Sequence, residues 1–246
     1  MSKDIVILHG WGRGAKSFSL VQELLERKNY SVHVFDLPGF GAVPPPPVPW
    51  SVSDYVDFVL KFVASQNLDK FYLFGHSFGG RVGIKLAASH PEKLAGLILC
   101  DAAGVTPRPK AKIAVFGFFS KIGNWIFSFK ILSIFRETAR RFAYFLSGER
   151  DYYFLQDEVM RETFKKTINE DLTPYLNQIK TPTIIIWGGK DKMTPVLDAY
   201  VINKNIAGSR LEILNGIGHN PHIESPEALV EFVDNFIKNQ ELKTEF

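Results

Sequence analysis

One short stretch of the chain constrains the fold more than any other. Residues 70–83 read Lys-Phe-Tyr-Leu-Phe-Gly-His-Ser-Phe-Gly-Gly-Arg-Val-Gly, so that an apolar run is followed at once by helix-like sequence. A Gly-x-Ser-x-Gly pentapeptide between a buried strand and a helix forms a tight turn with its serine at the tip. Gly75 and Gly79 lack the Cβ atoms that would clash in such a turn. The stretch therefore predicts a nucleophilic Ser77, and the alternative is a plain structural turn.

Apolar runs alternate with helix-like segments along most of the chain. Short runs that are apolar throughout are typical of strands covered on both faces of a sheet. Strands that alternate with helices favour a parallel sheet built from right-handed crossovers. The sequence therefore predicts an α/β fold. Its strands are expected at residues 5–8, 31–35, 71–74, 95–100, 183–187 and 211–214. Its helices are expected near residues 16–28, 51–66, 78–88, 195–206 and 224–238.

This alternation is interrupted between residues 104 and 180, where apolar residues recur at helical spacing. We interpret this segment as a helical cap, or lid, inserted into an α/β core formed by residues 1–103 and 181–246. An insertion at this point is expected over the carboxyl edge of the sheet, where folds of this kind bind their ligands.

The predicted cap is rich in basic and aromatic residues. Between Arg108 and Arg141 there are eight basic residues and one acid, Glu137, with seven aromatic residues interleaved. Lys121 and Lys130 keep any uncharged run below the roughly 18 residues that a membrane span needs. We interpret the segment as a cap that packs its apolar side on the core and exposes its basic side to solvent. The alternative is peripheral contact with anionic lipid or with an acidic, hydrophobic substrate.

Composition and the motifs that are not found argue against several classes of protein. The net charge of +3 is too small to indicate a nucleic-acid partner. The single cysteine, Cys100, cannot form an intrachain disulfide and lies in an apolar run, as expected of a small buried side chain. No N-terminal signal sequence is apparent, which favours a cytoplasmic location. No nucleotide, flavin or metal motif is found, so we expect chemistry without a cofactor or metal.

A serine hydroxyl needs a base to remove its proton, and the base needs a carboxylate to orient it. Of the six histidines, His219 lies in a glycine-rich turn after the last predicted strand. Asp191 follows the strand at residues 183–187 by four positions, where its side chain can reach the carboxyl edge of the sheet. Asp101 also ends a strand and is therefore a rival for the acid role. The sequence predicts the set Ser77, His219 and Asp191.

These residues together resemble the α/β-hydrolase superfamily, in which the order is serine, acid, histidine. The family's oxyanion loop is matched by His9-Gly10-Trp11-Gly12, and the turn after its next strand by Asp36-Leu-Pro-Gly-Phe-Gly41. The acid loop is matched by Trp187-Gly-Gly-Lys-Asp191, and the histidine loop by Gly218-His219 followed by Glu224-Ser-Pro226. The resemblance covers nearly the whole chain. The family's usual N-terminal strand pair is missing, so a six-stranded, mainly parallel sheet is expected.

The resemblance also implies a function. The backbone N–H groups of Trp11 and Phe78 would form the oxyanion hole. Relatives that open epoxides or displace halides carry an aspartate in place of Ser77, so the resemblance favours hydrolysis of carboxylic esters of hydrophobic small molecules through an acyl-enzyme. Lactone hydrolysis and carbon–carbon bond hydrolysis use the same residues and stay open. The alternative from another class is a ligand-binding protein that keeps the fold without turnover. His76 and His222 are assigned to packing, and Arg81 is assigned to pairing on the face of its helix.

Overall fold

A single parallel sheet of six strands forms the centre of the molecule. The computed structural model describes residues 4–105 and 157–244. The strand order is β2-β1-β3-β4-β5-β6, and every neighbouring pair is parallel. The strands are β1 (Asp4–Leu8), β2 (Ser31–Val34), β3 (Phe71–His76), β4 (Leu94–Cys100), β5 (Thr183–Gly188) and β6 (Arg210–Leu214). The expected six-stranded parallel sheet is confirmed.

Helices cover both faces of this sheet. They are α1 (Ser19–Glu26), α2 (Val52–Ser65), α3 (Phe78–Ser89), α4 (Glu158–Asn169), α5 (Thr173–Leu176), α6 (Val196–Asn205), α7 (Pro221–Glu224) and α8 (Pro226–Thr244). At the start of α2, the Asp54 carboxylate accepts hydrogen bonds from the Ser51 N–H and hydroxyl, both at 2.7 Å. This local bonding fixes the point at which the chain turns into the helix.

Alternate residues of the central strands pack into two separate hydrophobic cores. Val6 and Leu8 of β1 join the core on the face covered by α2 and α3. Ile5 and Ile7 point to the opposite face and pack with residues of α1 and α8. All four side chains are fully buried. Burial on both faces explains why β1 is apolar throughout rather than alternating between polar and apolar residues.

One predicted helix is shorter than expected. The sequence predicted a helix over residues 16–28, whereas the structure has a 3-10 turn, Ala15–Phe18, before α1 begins at Ser19. The Ser17 hydroxyl donates to the Gly14 carbonyl at 2.7 Å. A serine that bonds the backbone in this way competes with regular helical bonding, which accounts for the tighter first turn.

The last part of the predicted cap is described and is helical, since α4 and α5 both lie between residues 104 and 180. Helix α4 packs over the loop that follows β1, where Phe164 contacts Trp11 with ring centroids 4.9 Å apart. It also accepts a hydrogen bond from the Trp50 N–H on Thr163 Oγ1 at 3.0 Å. The basic and aromatic stretch between Arg108 and Arg141 lies outside the described residues, and the boundaries of the cap stay a prediction.

Within residues 4–105 and 157–244, no helix has the length and apolar character needed to cross a membrane.

Candidate active site

The turn between β3 and α3 has the geometry that its glycines indicate. Ser77 adopts φ 52° and ψ −110°, a left-handed backbone that is strained for a residue with a side chain. A Cβ on Gly75 would lie 2.5 Å from the Gly79 carbonyl oxygen, and one on Gly79 would lie 2.2 Å from the Leu8 carbonyl oxygen. Only glycine fits at either position. The turn therefore presents Ser77 at the carboxyl edge of the sheet, directly before the N-terminus of α3.

Three side chains from distant parts of the chain form one hydrogen-bonded series at this edge. His219 Nε2 lies 3.0 Å from Ser77 Oγ. On the other side of the ring, His219 Nδ1 lies 2.7 Å from Asp191 Oδ2. A carboxylate can only accept, so Nδ1 carries the proton and the lone pair of Nε2 faces the serine hydroxyl. The structure thus brings together the three residues that the sequence singled out.

The Asp191 carboxylate is held by several donors besides His219. Its Oδ1 accepts from the backbone N–H groups of Met193 at 2.7 Å and Thr194 at 3.1 Å. Its Oδ2 accepts from the Thr194 hydroxyl at 2.6 Å. Burial works in the opposite direction, but the hydrogen bonds from His219 and Thr194 lower the pKa of Asp191 below its ordinary value. Asp191 is therefore ionised and fixed in orientation at neutral pH.

Sequence reasoning did not identify Thr194 as part of this arrangement. The residue is buried, and its hydroxyl also lies 3.3 Å from His219 Nδ1. The three-residue spacing between Asp191 and Thr194 could have indicated it, because an aspartate often accepts hydrogen bonds from residues two and three positions further along a turn.

Two side chains hold the loop that carries His219 through hydrogen bonds to its backbone. The Glu224 carboxylate accepts from the N–H groups of Gly218 at 2.8 Å and Asn220 at 3.2 Å. On the other side, His76 Nε2 lies 2.8 Å from the His219 carbonyl oxygen, so this ring nitrogen donates. Glu224 belongs to the histidine-loop motif of the sequence, and its position five residues after His219 is what allows it to close the loop.

The loop after β1 offers backbone donors near Ser77. Its conformation is set by His9, whose Nε2 accepts from the Leu37 N–H at 3.0 Å and whose Nδ1 donates to the Gly10 carbonyl at 2.8 Å. In the part of the chain described, the N–H groups of Trp11 and Phe78 donate no hydrogen bond to another protein group. The indole of Trp11 contacts the Phe78 ring with centroids 5.0 Å apart. Among the described residues these two amides have no acceptor, and the side chains of Trp11 and Phe78 are in contact.

The rival acid, Asp101, lies behind Asp191 and makes no hydrogen bond to His219 among the described contacts. It is fully buried, and its Oδ1 accepts from the Gly188 N–H at 2.9 Å. Burial, followed by the neighbouring Asp191 carboxylate, raises the pKa of Asp101 to about 9. The carboxylate that faces the imidazole is therefore that of Asp191.

His76 and His222 are packed side by side under the site. Their ring centroids are 4.4 Å apart, and both side chains are almost fully buried. Burial, and then the nearby His222 and His219 rings, hold the pKa of His76 well below its ordinary value. These rings fill space beneath the loop that carries His219, in agreement with their assignment to packing.

The fold and this arrangement agree with comparisons to known proteins. The family model described as the alpha/beta hydrolase fold matches residues 4–226, and the chain belongs to that family. It is 29% identical over 250 residues to the 2-hydroxy-6-oxononadienedioate/2-hydroxy-6-oxononatrienedioate hydrolase of Klebsiella pneumoniae, covering 96% of this chain and 87% of the relative. It is 27% identical to the pimeloyl-[acyl-carrier protein] methyl ester esterase of Aeromonas hydrophila, with 95% of each chain covered.

A similar solved structure is the enol-lactonase of Burkholderia xenovorans LB400. Its TM-score is 0.72 at 23% identity, and the match covers 97% of this chain and 92% of that one. An identity this low supports the fold alone. Taken together, family and relatives identify the chain as a hydrolase of the α/β fold.

Proposed function

We propose that this hydrolase cleaves carboxylic esters of hydrophobic small molecules through an acyl-enzyme intermediate. The observation that carries the proposal is the series from Ser77 Oγ through the His219 ring to Asp191, with distances of 3.0 Å and 2.7 Å. Each link has the polarity that nucleophilic catalysis needs, since a base faces the hydroxyl and an ionised acid faces the base.

The proposed reaction begins when Ser77 Oγ attacks the ester carbonyl carbon and passes its proton to His219 Nε2. The carbonyl oxygen becomes an oxyanion, which accepts hydrogen bonds from the Trp11 and Phe78 N–H groups. Collapse of this intermediate expels the alcohol, which takes the proton from Nε2. A water molecule then gives its proton to His219 and attacks the acyl-enzyme, and Ser77 is regenerated with release of the acid.

The aromatic side chains around the oxyanion loop favour a hydrophobic substrate. Trp11 packs against Phe40 with centroids 4.8 Å apart, as well as against Phe78 and Phe164. We propose that residues 104–180 form a cap over this edge of the core, which comprises residues 1–103 and 181–246. Helix α4 supports this organisation because its Phe164 covers Trp11 directly.

Carbon–carbon bond hydrolysis is the second candidate. The Klebsiella pneumoniae relative is named for a substrate that contains a ketone and two carboxylates and no ester. The Aeromonas hydrophila relative is named as an esterase, and the two identities differ by only two percentage points, 29% and 27%. Lactone hydrolysis breaks the same kind of acyl–oxygen bond as ester hydrolysis and is included in the proposal.

A series of p-nitrophenyl esters tests the proposal. Each fully buried methylene contributes roughly 0.8 kcal/mol, or about fourfold in kcat/KM, so kcat/KM should rise at least several-fold from acetyl to hexanoyl esters even if only part of the chain is buried. Ser77→Ala should reduce turnover to background and abolish labelling by a fluorophosphonate. Ser65→Ala, which alters an exposed serine at the end of α2, is the matched control and should behave as wild type.

Three outcomes would contradict parts of this proposal. If Ser77→Ala keeps a tenth of the wild-type rate or more, Ser77 is not the nucleophile. A folded wild-type chain that neither turns over esters of any length nor reacts with the fluorophosphonate would indicate a ligand-binding protein. Turnover of a vinylogous 1,5-diketone with no turnover of esters would favour the carbon–carbon hydrolase.

A further inference from the structure

Asp101 occupies an unusual position next to the proposed catalytic acid. It follows directly on β4 and has φ 44°, a left-handed backbone that side-chain-bearing residues rarely adopt. The backbone around it is tied to the rest of the site, since the Asp101 N–H donates to the Ile186 carbonyl at 3.1 Å and the Ser77 N–H donates to the Cys100 carbonyl at 3.0 Å. A strained conformation that is fixed in this way places a carboxyl group at one defined point.

That point is beside Asp191. One side-chain ligand atom from each of Asp101, Asp191 and His219 lies within 4.8 Å of the others, and both aspartates are buried. Two ionised carboxylates this close together in a buried site repel each other, which favours a proton on one of them. We therefore expect the pair to hold one proton.

The donors around the pair decide where the proton lies. Asp191 accepts two backbone N–H groups, the Thr194 hydroxyl and His219 Nδ1, all of which stabilise an ionised carboxylate. Asp101 accepts one N–H group, from Gly188, and has the weak donor Cys100 Sγ at 3.6 Å. None of the contacts described for Asp101 involves a lysine or an arginine. The proton is therefore more stable on Asp101.

We propose that Asp101 is a positioning residue, a neutral carboxylic acid that donates a hydrogen bond to Asp191 so that the pair carries a single negative charge. The proposal rests on the proposed function in that it assigns Asp191 the role of orienting acid. An ionised Asp101 would place a second negative charge near the imidazole, where it would favour the protonated ring over the neutral base. The elevated pKa that burial and Asp191 give to Asp101 agrees with this assignment.

The proton itself can be observed without any activity measurement. In infrared spectra of the wild-type protein, a protonated carboxylic acid gives a carbonyl band separate from that of carboxylates. That band should be present at neutral pH and absent in Asp101→Asn, whereas Asp57→Asn, which alters an exposed aspartate of α2, should retain it. A wild-type spectrum without this band, or a band that persists in Asp101→Asn, would overturn the proposal.

Stability provides a second readout. In the unfolded chain Asp101 loses its proton near the ordinary aspartate pKa of 3.8, whereas the folded chain keeps it to a pKa of about 9. The stabilisation tied to this proton is thus complete below about pH 4 and is lost as the pH rises towards 9. The unfolding equilibrium constant of wild type should therefore grow, relative to that of Asp101→Asn, by up to about tenfold per pH unit in this window. Identical pH dependence in the two proteins would contradict a protonated Asp101.

Kinetics test the positioning role. Asparagine keeps the shape, the neutrality and a donor towards Asp191, so Asp101→Asn should retain kcat within about threefold. Asp101→Leu removes the donor and should lower kcat by at least tenfold with little change in KM. Equal losses in the two variants would refute positioning by this hydrogen bond. The infrared band reports the proton on Asp101 and does not depend on the role of Ser77. It can therefore disprove this proposal while the proposed function stands, and Ser77→Ala can do the reverse.

Discussion

One buried histidine should contribute a loss of stability on acidification, because its ring has no hydrogen-bond partner among the described residues. His222 lies on α7, is 2% exposed and stacks on Phe18 with centroids 4.3 Å apart and an interplanar angle of 10°. Neither of its ring nitrogens has a hydrogen-bond partner among the described residues. Burial, and then the positive charge of Arg13, lower the pKa of His222 to about 4.

The size of the effect follows from this shift. In the unfolded chain His222 gains a proton near the ordinary histidine pKa of 6.5, whereas in the folded chain it does so only near a pKa of about 4. The stabilisation that His222 provides as a neutral ring is therefore complete above about pH 6.5 and is lost as the pH falls towards 4. Between about pH 7.5 and about pH 4.5, linkage gives a loss of about 2 to 3 kcal/mol in the contribution of His222 to the free energy of unfolding, separate from the opposite contribution of Asp101.

Urea unfolding of the wild-type protein and of His222→Phe at these two pH values measures the loss. Phenylalanine can keep the stack on Phe18 and has no nitrogen to protonate. On acidification, the free energy of unfolding of the variant should therefore change by about 2 to 3 kcal/mol in its favour relative to that of wild type, since the Asp101 contribution is common to both. His90→Phe, which removes a more exposed imidazole, is the control and should lose as much as wild type. Equal losses in wild type and His222→Phe would show that His222 does not carry the acid sensitivity.

Two further predictions concern the acid of the site. Asp191→Asn should lower kcat by orders of magnitude, because the amide no longer fixes the His219 tautomer or stabilises the imidazolium; stopped-flow or steady-state ester hydrolysis checks this, and a loss below tenfold would argue against the assignment. Thr194→Val should lower kcat by about tenfold through loss of the hydrogen bond to the Asp191 carboxylate. Thr181→Val removes a buried hydroxyl that has no partner in the described structure and should retain the wild-type kcat.

The sheet could be predicted from the sequence because strands that are buried on both faces are apolar throughout, and such runs can be recognised. The run at residues 183–187 corresponds to β5, Thr183–Gly188, and the run at residues 5–8 corresponds to β1, Asp4–Leu8. In each case the observed strand is one residue longer than the apolar run. Sequence patterns do not fix where hydrogen bonding between strands ends, because polar residues and glycines at strand ends form the same backbone hydrogen bonds as apolar residues.

The site could be predicted only in part. Ser77, Asp191 and His219 could be proposed from the sequence because each lies in a short motif that resembles a known loop. The contact between Asp101 and Asp191 joins residues far apart in the chain and depends on the pairing of β4 with β5. The depth at which His222 is buried depends likewise on the packing of α7 against the turn before α1. No local pattern encodes either contact.

The close approach between the end of β5 and the loop that carries His219 provides a last test of how the site is built. Gly188 ends β5, and a Cβ at this position would lie 1.9 Å from the Gly218 carbonyl oxygen and 2.8 Å from that of Ile217. Backbone atoms cannot yield as a flexible side chain does, so Gly188→Ala must displace the loop that carries His219.

A displacement of about 1 Å is enough to cost on the order of a hundredfold in rate when it misaligns reacting groups. Gly188→Ala should therefore lower kcat strongly in the ester assay. Gly189→Ala is the matched control, because a Cβ there meets its nearest atoms at 3.4 Å, an ordinary contact, and the variant should keep near wild-type kcat. Urea unfolding of both variants separates misalignment from loss of the fold. If folded Gly188→Ala is as active as Gly189→Ala, the position of His219 does not depend on this close approach of the two backbones.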